Sequence, residues 1–83
     1  MASMDKHWDR QALLLAMCDV AAADPKVLFR GWDVQLLLGW DDDRFERAAI
    51  WIVDHELVRA RNSGGLFQMT PKGIEITKSI APR

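Results

Sequence analysis

A single cysteine, Cys18, excludes an internal disulfide and with it the disulfide-stapled class of small secreted scaffolds. A reducing, cytoplasmic setting is the expectation that follows. No run of about eighteen apolar residues occurs, the length a membrane-crossing helix needs. No basic leader precedes an apolar core and a cleavage site. Neither a membrane span nor a secretory signal is therefore expected. Low-complexity segments, internal repeats and an interdomain linker are missing too. Net charge is nearly absent, at −1, so attraction of the whole molecule to a polyanion is excluded as a driving force. What charge there is lies unevenly. Residues 1–43 sum to −4 and residues 44–83 to +3, which puts any electrostatic footprint for nucleic acid in the second half.

Catalytic groups are equally sparse. His7 and His55 are far apart, and His55 has no serine or cysteine partner at a known spacing. Asp54 and His55 are adjacent on a helix and do not face each other. Cys18 sits in an apolar helical run, where a cysteine is more often a small buried side chain than a nucleophile. Asp41, Asp42 and Asp43 open a helix as a cap, and no calcium-loop pattern surrounds them. Gly64, Gly65 and Gly73 match no phosphate loop. These readings point away from an enzyme, a metal site and a cofactor.

What remains is a chain of 83 residues, half of them apolar, with mixed charge: one small folded domain over residues 5–81. Met1-Ala2-Ser3, ahead of Met4, is set aside as a candidate cloning scar. Asp5 to about Ala23 reads as a first helix, with Leu13, Leu14, Met17, Val20 and Ala21 as its core stripe. Trp8, Ala12 and Leu15 fall roughly opposite. Asp24-Pro25 ends it, because the residue before proline disfavours helix. Lys26 to Phe29 reads as a short strand. Trp32 to Leu38 reads as a second helix, with Val34, Leu37 and Leu38 on one face and Gly39 as its C-cap. Trp32 and Trp40 are expected to fill the space between helices.

The segment from Asp41 to Leu57 organises the rest. Aspartates suit its positive dipole end. Phe45, Ala48, Ala49, Ile52 and Val53 recur at helical spacing as a core stripe. Arg44, Arg47, Trp51, Asp54 and His55 fall on the other side, with Trp51 expected to be exposed. The period then changes to two. Val58 to Arg61 and Leu66 to Met69 form a β-hairpin around Asn62-Ser63-Gly64-Gly65. Thr70 as N-cap and Pro71 at the first helical position start a last helix.

The order helix, short strand, helix, helix, hairpin, helix resembles a winged helix-turn-helix domain. The fold class expected is α+β, mostly α: a three-helix core, a two- or three-stranded antiparallel sheet and a C-terminal helix. Glu56-Leu57-Val58-Arg59-Ala60-Arg61 resembles the "G-L-V-x-R-x" exit from the recognition helix of MarR- and PadR-like bacterial regulators. Leu66-Phe67-Gln68-Met69-Thr70-Pro71-Lys72-Gly73 resembles their wing-to-helix signature, in which a strand ends in "L-T-x-K-G". Glu56 stands where the family has glycine, which implies a helix exit without a left-handed turn. The long dimerisation helices of MarR-like proteins are absent, or the chain is a fragment that lacks them.

Two functions follow from that resemblance and from the residues. The first is double-stranded DNA binding in transcriptional control. It places the third helix (41–57) in the major groove and the wing (58–69) on the backbone. Arg44, Arg47 and Trp51 would act from the helix, Arg59, Arg61 and Asn62 from the wing, and Lys72 beside it. The alternative is a winged-helix protein-interaction or oligomerisation module that does not bind DNA. It would contact a partner or a second copy through Trp51 and Trp8, because tryptophan and arginine together make interface hot spots. The aspartates at the start of the third helix favour this alternative, since they would repel phosphate.

Overall fold

The structure, a computed structural model, describes residues 2–61 and 65–80, with side chains from Trp8 onward. Its elements are α1 (Ala2–Val20), β1 (Leu28–Arg30), α2 (Gly31–Leu38), α3 (Asp42–Asp54), β2 (Val58–Arg61), β3 (Leu66–Met69) and α4 (Pro71–Ile80). This is an α+β fold, mostly helical. Asn62, Ser63 and Gly64 of the expected wing tip lie outside the described residues, as do Ala81, Pro82 and Arg83.

α1 is the central post, and α2, α3 and α4 all pack on it. Leu13, Leu14 and Met17 are its most deeply buried side chains, together with Ala21 just past its end and Ile52, Val34, Val58 and Met69 from the other elements. Val20, expected in this stripe, is more than a third exposed. It is the helix's last residue, and the chain turns there so that Ala21 beside it takes the buried position. Among the described residues no helix is long and apolar enough to cross a membrane.

The strands form one antiparallel sheet in the order β1-β3-β2. Leu28 faces Gln68, which faces Arg59; Arg30 faces Leu66, which faces Arg61. Residues directly opposite share a face, and neighbours along a strand alternate. One face therefore carries Phe29, Phe67 and Ala60. The other carries Leu28, Gln68, Arg59, Arg30, Leu66 and Arg61. The first face turns inward: Phe29 is buried, its ring stacks on Phe67 at 6.1 Å, and Phe45 of α3 meets Phe67 edge-on at 6.3 Å.

Helices α1, α2 and α3 end in the same way. In each, one amide reaches back five residues and the amide before it reaches back three, the paired bonds of a Schellman motif. At α2 these are Trp40 to Gln35 and Gly39 to Leu36. At α1 they are Ala23 to Cys18 and Ala22 to Asp19, and at α3 Leu57 to Ile52 and Glu56 to Val53. The motif needs a left-handed residue at its first non-helical position. Gly39 supplies it at φ 70°, Ala22 at φ 53° and Glu56 at φ 61°. Glu56 thus takes a left-handed turn, contrary to the expectation from sequence that the helix leaves without one. Burial of Leu57 and Ile52 beside that turn holds the backbone in place despite the Cβ. A left-handed residue with a Cβ costs about 1 kcal/mol. Glu56→Gly is therefore expected to raise stability by about 1 kcal/mol, less the added chain entropy of glycine, read as a higher urea midpoint at unchanged slope.

Candidate functional site

α3 begins as its aspartates require. The Asp41 carboxylate accepts from the Arg44 amide at 2.8 Å as N-cap, and Asp42 and Asp43 occupy the first turn. Asp42 also accepts from Gln35 Nε2 at 2.7 Å, which ties α2 to α3. Asp43 pairs with Arg47 at 3.0 Å, both side chains well exposed.

Arg44 does not point freely into solvent. Its Nε and Nη2 donate to the two carboxylate oxygens of Asp9 at 3.0 and 2.8 Å, and its guanidinium lies 4.4 Å from the centre of the Trp40 ring. Planar, bidentate pairing of this kind fixes the side chain, and here it joins α3 to α1. The hydrogen bond from Arg44 holds the Asp9 carboxyl below its ordinary value of 3.8, and the charges of Arg44 and Arg47 add to that. A lowered folded value means the pair's stabilisation is complete above the unfolded value and fades as pH falls through the folded one. The Arg44 side chain is half exposed, so screening keeps the effect small. Asp9→Asn is expected to cost at most about 1 kcal/mol at neutral pH. Denaturation curves across pH should show that gap closing as acid protonates Asp9 in the wild type.

Trp51 is a correction. It is half-buried, not exposed, in a cleft of α1, α3 and α4 lined by Leu14, Leu57, Ile76 and Ile80. The Arg10 guanidinium sits 4.4 Å from its ring centre, and the His55 ring stacks on it at 3.7 Å. The core stripe itself holds: Ala48, Ala49 and Ile52 are buried and Phe45 and Val53 half-buried. The flank opposite it is not simply solvent, because α1 and α4 cover the edge that bears Arg44 and Trp51. The solvent crest of α3 runs instead through Asp43, Arg47, Ile50 and Asp54, with Asp42 and Glu46 on its hairpin side. Ile50 is 62% exposed there.

Arg59 and Arg61 are exposed on the sheet face turned away from α3, beside Arg30, which pairs with Asp33 at 3.4 Å. Lys72 is exposed in the first turn of α4. The candidate DNA-contacting residues thus divide between two surfaces: Arg44, Arg47 and Trp51 on the α1 side and crest of α3, Arg59 and Arg61 on the outer sheet.

Sequence reasoning missed the apolar surface of α2. Trp32 is 59% exposed rather than inserted between helices, and Leu36 and Leu37 are equally open. Only Trp40 of that pair packs against the core. The signal was present: α2 is apolar nearly all round, and a short helix at the edge of a small core can bury only one side. Trp8 is 60% exposed, as expected.

On the hairpin side of α3 lies an open groove of about 690 Å³. Phe45, Val53 and Phe67 line its apolar floor, and Asp42, Glu46 and Asp54 stand around it. Among the described residues no group of three histidine, cysteine or carboxylate side chains converges as a metal site would. No family model matches the chain, and no curated protein or solved structure does.

Proposed function

We propose that this chain is a winged-helix protein-interaction module that does not insert α3 into DNA. The order of its elements, the β1-β3-β2 sheet and the turn from Thr70 to Gly73 support the winged-helix assignment. One observation carries the function: the accessible side of α3 bears Asp42, Asp43, Glu46 and Asp54 around an exposed Ile50, against one outward arginine already paired with Asp43. Phosphates flank a major groove on both sides, and a helix presenting net negative charge meets repulsion along its length. An exposed isoleucine among carboxylates suits a protein surface with apolar and basic groups.

A second reading has its own support. Arg30, Arg59 and Arg61 share the outer sheet face, so the domain has a means of lying on a phosphate backbone without base contacts. Fluorescence anisotropy with labelled random duplex separates the two. Protein binding through α3 predicts no saturable, salt-dependent rise at low salt. Salt-dependent affinity abolished by Arg59→Ala with Arg61→Ala would replace it with backbone binding. Affinity abolished by Arg44→Ala with Arg47→Ala would restore the major-groove reading.

A further inference from the structure

We infer that the groove between α3 and the hairpin is the docking site for a basic amphipathic helix of a partner protein. This rests on the protein-binding reading above. The floor offers Phe45, Val53 and Phe67 with no segment of the described residues over them, and Ile50 stands at the lip. The polar groups around the groove are one-signed. Asp42, Glu46 and Asp54 are carboxylates, and among the described residues no lysine or arginine lines the groove. The amide of Gln35 bonds Asp42 but brings no charge. Asp42 and Glu46 are one turn apart, and Glu46 and Asp54 a little over two, so the acidic edge runs along the helix for about 18 Å. A partner helix of about three turns laid beside α3 matches that length. Its leucine-type side chains at i, i+3, i+4 and i+7 would cover the floor. Lysine or arginine flanking that stripe would reach the edge carboxylates, snorkelling over the apolar contact.

The sign of the charge rules out a polyanion. A second copy of the chain fits poorly. Its basic-and-apolar surface is the outer sheet, a flat ladder rather than a ridge. A copy seated that way would leave its own groove open for the next, a heterologous contact that builds rings or filaments rather than a closed pair.

The test is an amide chemical-shift titration of the full labelled chain with a synthetic leucine/lysine amphipathic helical peptide, a leucine/glutamate counterpart and random duplex DNA. The expected result is saturable shifts at Phe45–Asp54, Ala60 and Phe67 with the leucine/lysine peptide alone. Glu46→Lys with Asp54→Lys, both at exposed positions, should weaken that binding about tenfold or more and create affinity for the leucine/glutamate peptide. Leucine/lysine shifts on the outer sheet or on α2, with duplex silent, would overturn the groove and leave protein binding standing. Duplex shifts along α3 would overturn both. Groove shifts that follow protein concentration without any peptide would make the occupant a second copy and overturn the separate partner.

Discussion

Gly73→Ala is expected to lose at least about 3 kcal/mol, a large fraction of the stability a domain of this size holds. A Cβ at position 73 would overlap the carbonyl oxygen of Leu57 and stand 2.9 Å from its carbonyl carbon. Neither side can yield cheaply. The Leu57 carbonyl is held by the Thr70 amide at 3.2 Å, the Leu57 amide by Ile52 at 3.1 Å, and the Leu57 side chain is in the core. Gly73 is buried in the first turn of α4, whose Ile74 and Thr77 pack inward. Separating the backbones means lifting α4 from α1 or breaking the turn after α3. A domain of this size holds only about 4–12 kcal/mol in total. Urea denaturation followed by far-UV circular dichroism reads the loss directly. Lys72→Ala, one residue earlier and exposed, serves as control and should stay within about 0.5 kcal/mol of wild type. A wild-type midpoint for Gly73→Ala would mean that α4 does not approach Leu57 so closely.

Thr70→Val is expected to cost about 2–3 kcal/mol, although it preserves the shape of the side chain. The Thr70 hydroxyl is buried and serves both sides of the same junction. It accepts from the Gly73 amide at 3.0 Å, and its proton lies between the Glu56 and Leu57 carbonyls at 2.7 and 3.0 Å. Valine removes the N-cap of α4 and leaves a buried amide without its acceptor. It also frees the carbonyl of Glu56, the residue already held left-handed. Thr70→Ser keeps the hydroxyl and should recover most of the loss, apart from the methyl group's share of about 1 kcal/mol. Serine and valine variants of equal stability would show that the hydroxyl is dispensable.

The stretch from Met69 to Gly73 was legible in the sequence in part, Thr70 as the helix cap and Pro71 as the first helical residue. Its threonine caps a helix and clasps the preceding turn, and its glycine lets the two backbones touch. Each role demands one residue type at one spacing. The start of α3 was readable for the same reason, since an N-cap acts within three residues. Alternation in β2 likewise placed Arg59 and Arg61 on one face, but could not say that this face turns away from α3. Periodicity in α3 identified Ala48, Ala49 and Ile52 as core, yet misjudged the opposite flank. Trp51 looked outward because nothing local marks the arrival of Leu14, Ile76 and Ile80 beside it. Arg44 looked available because Asp9, its partner, lies thirty-five residues earlier.

The order of the elements, their caps and turns, and the buried stripe of α3 were set by short-range chemistry, where side chains act on backbone a few residues away. Packing alone decided which remaining surfaces stay open. α1 and α4 cover the flank of α3 that carries Arg44 and Trp51, so its acidic crest is left to solvent. α2 lies at the rim with Trp32 and Leu36 uncovered. Those assignments depend on contacts between elements far apart along the chain, and no local pattern encodes which side of a helix a distant neighbour will cover.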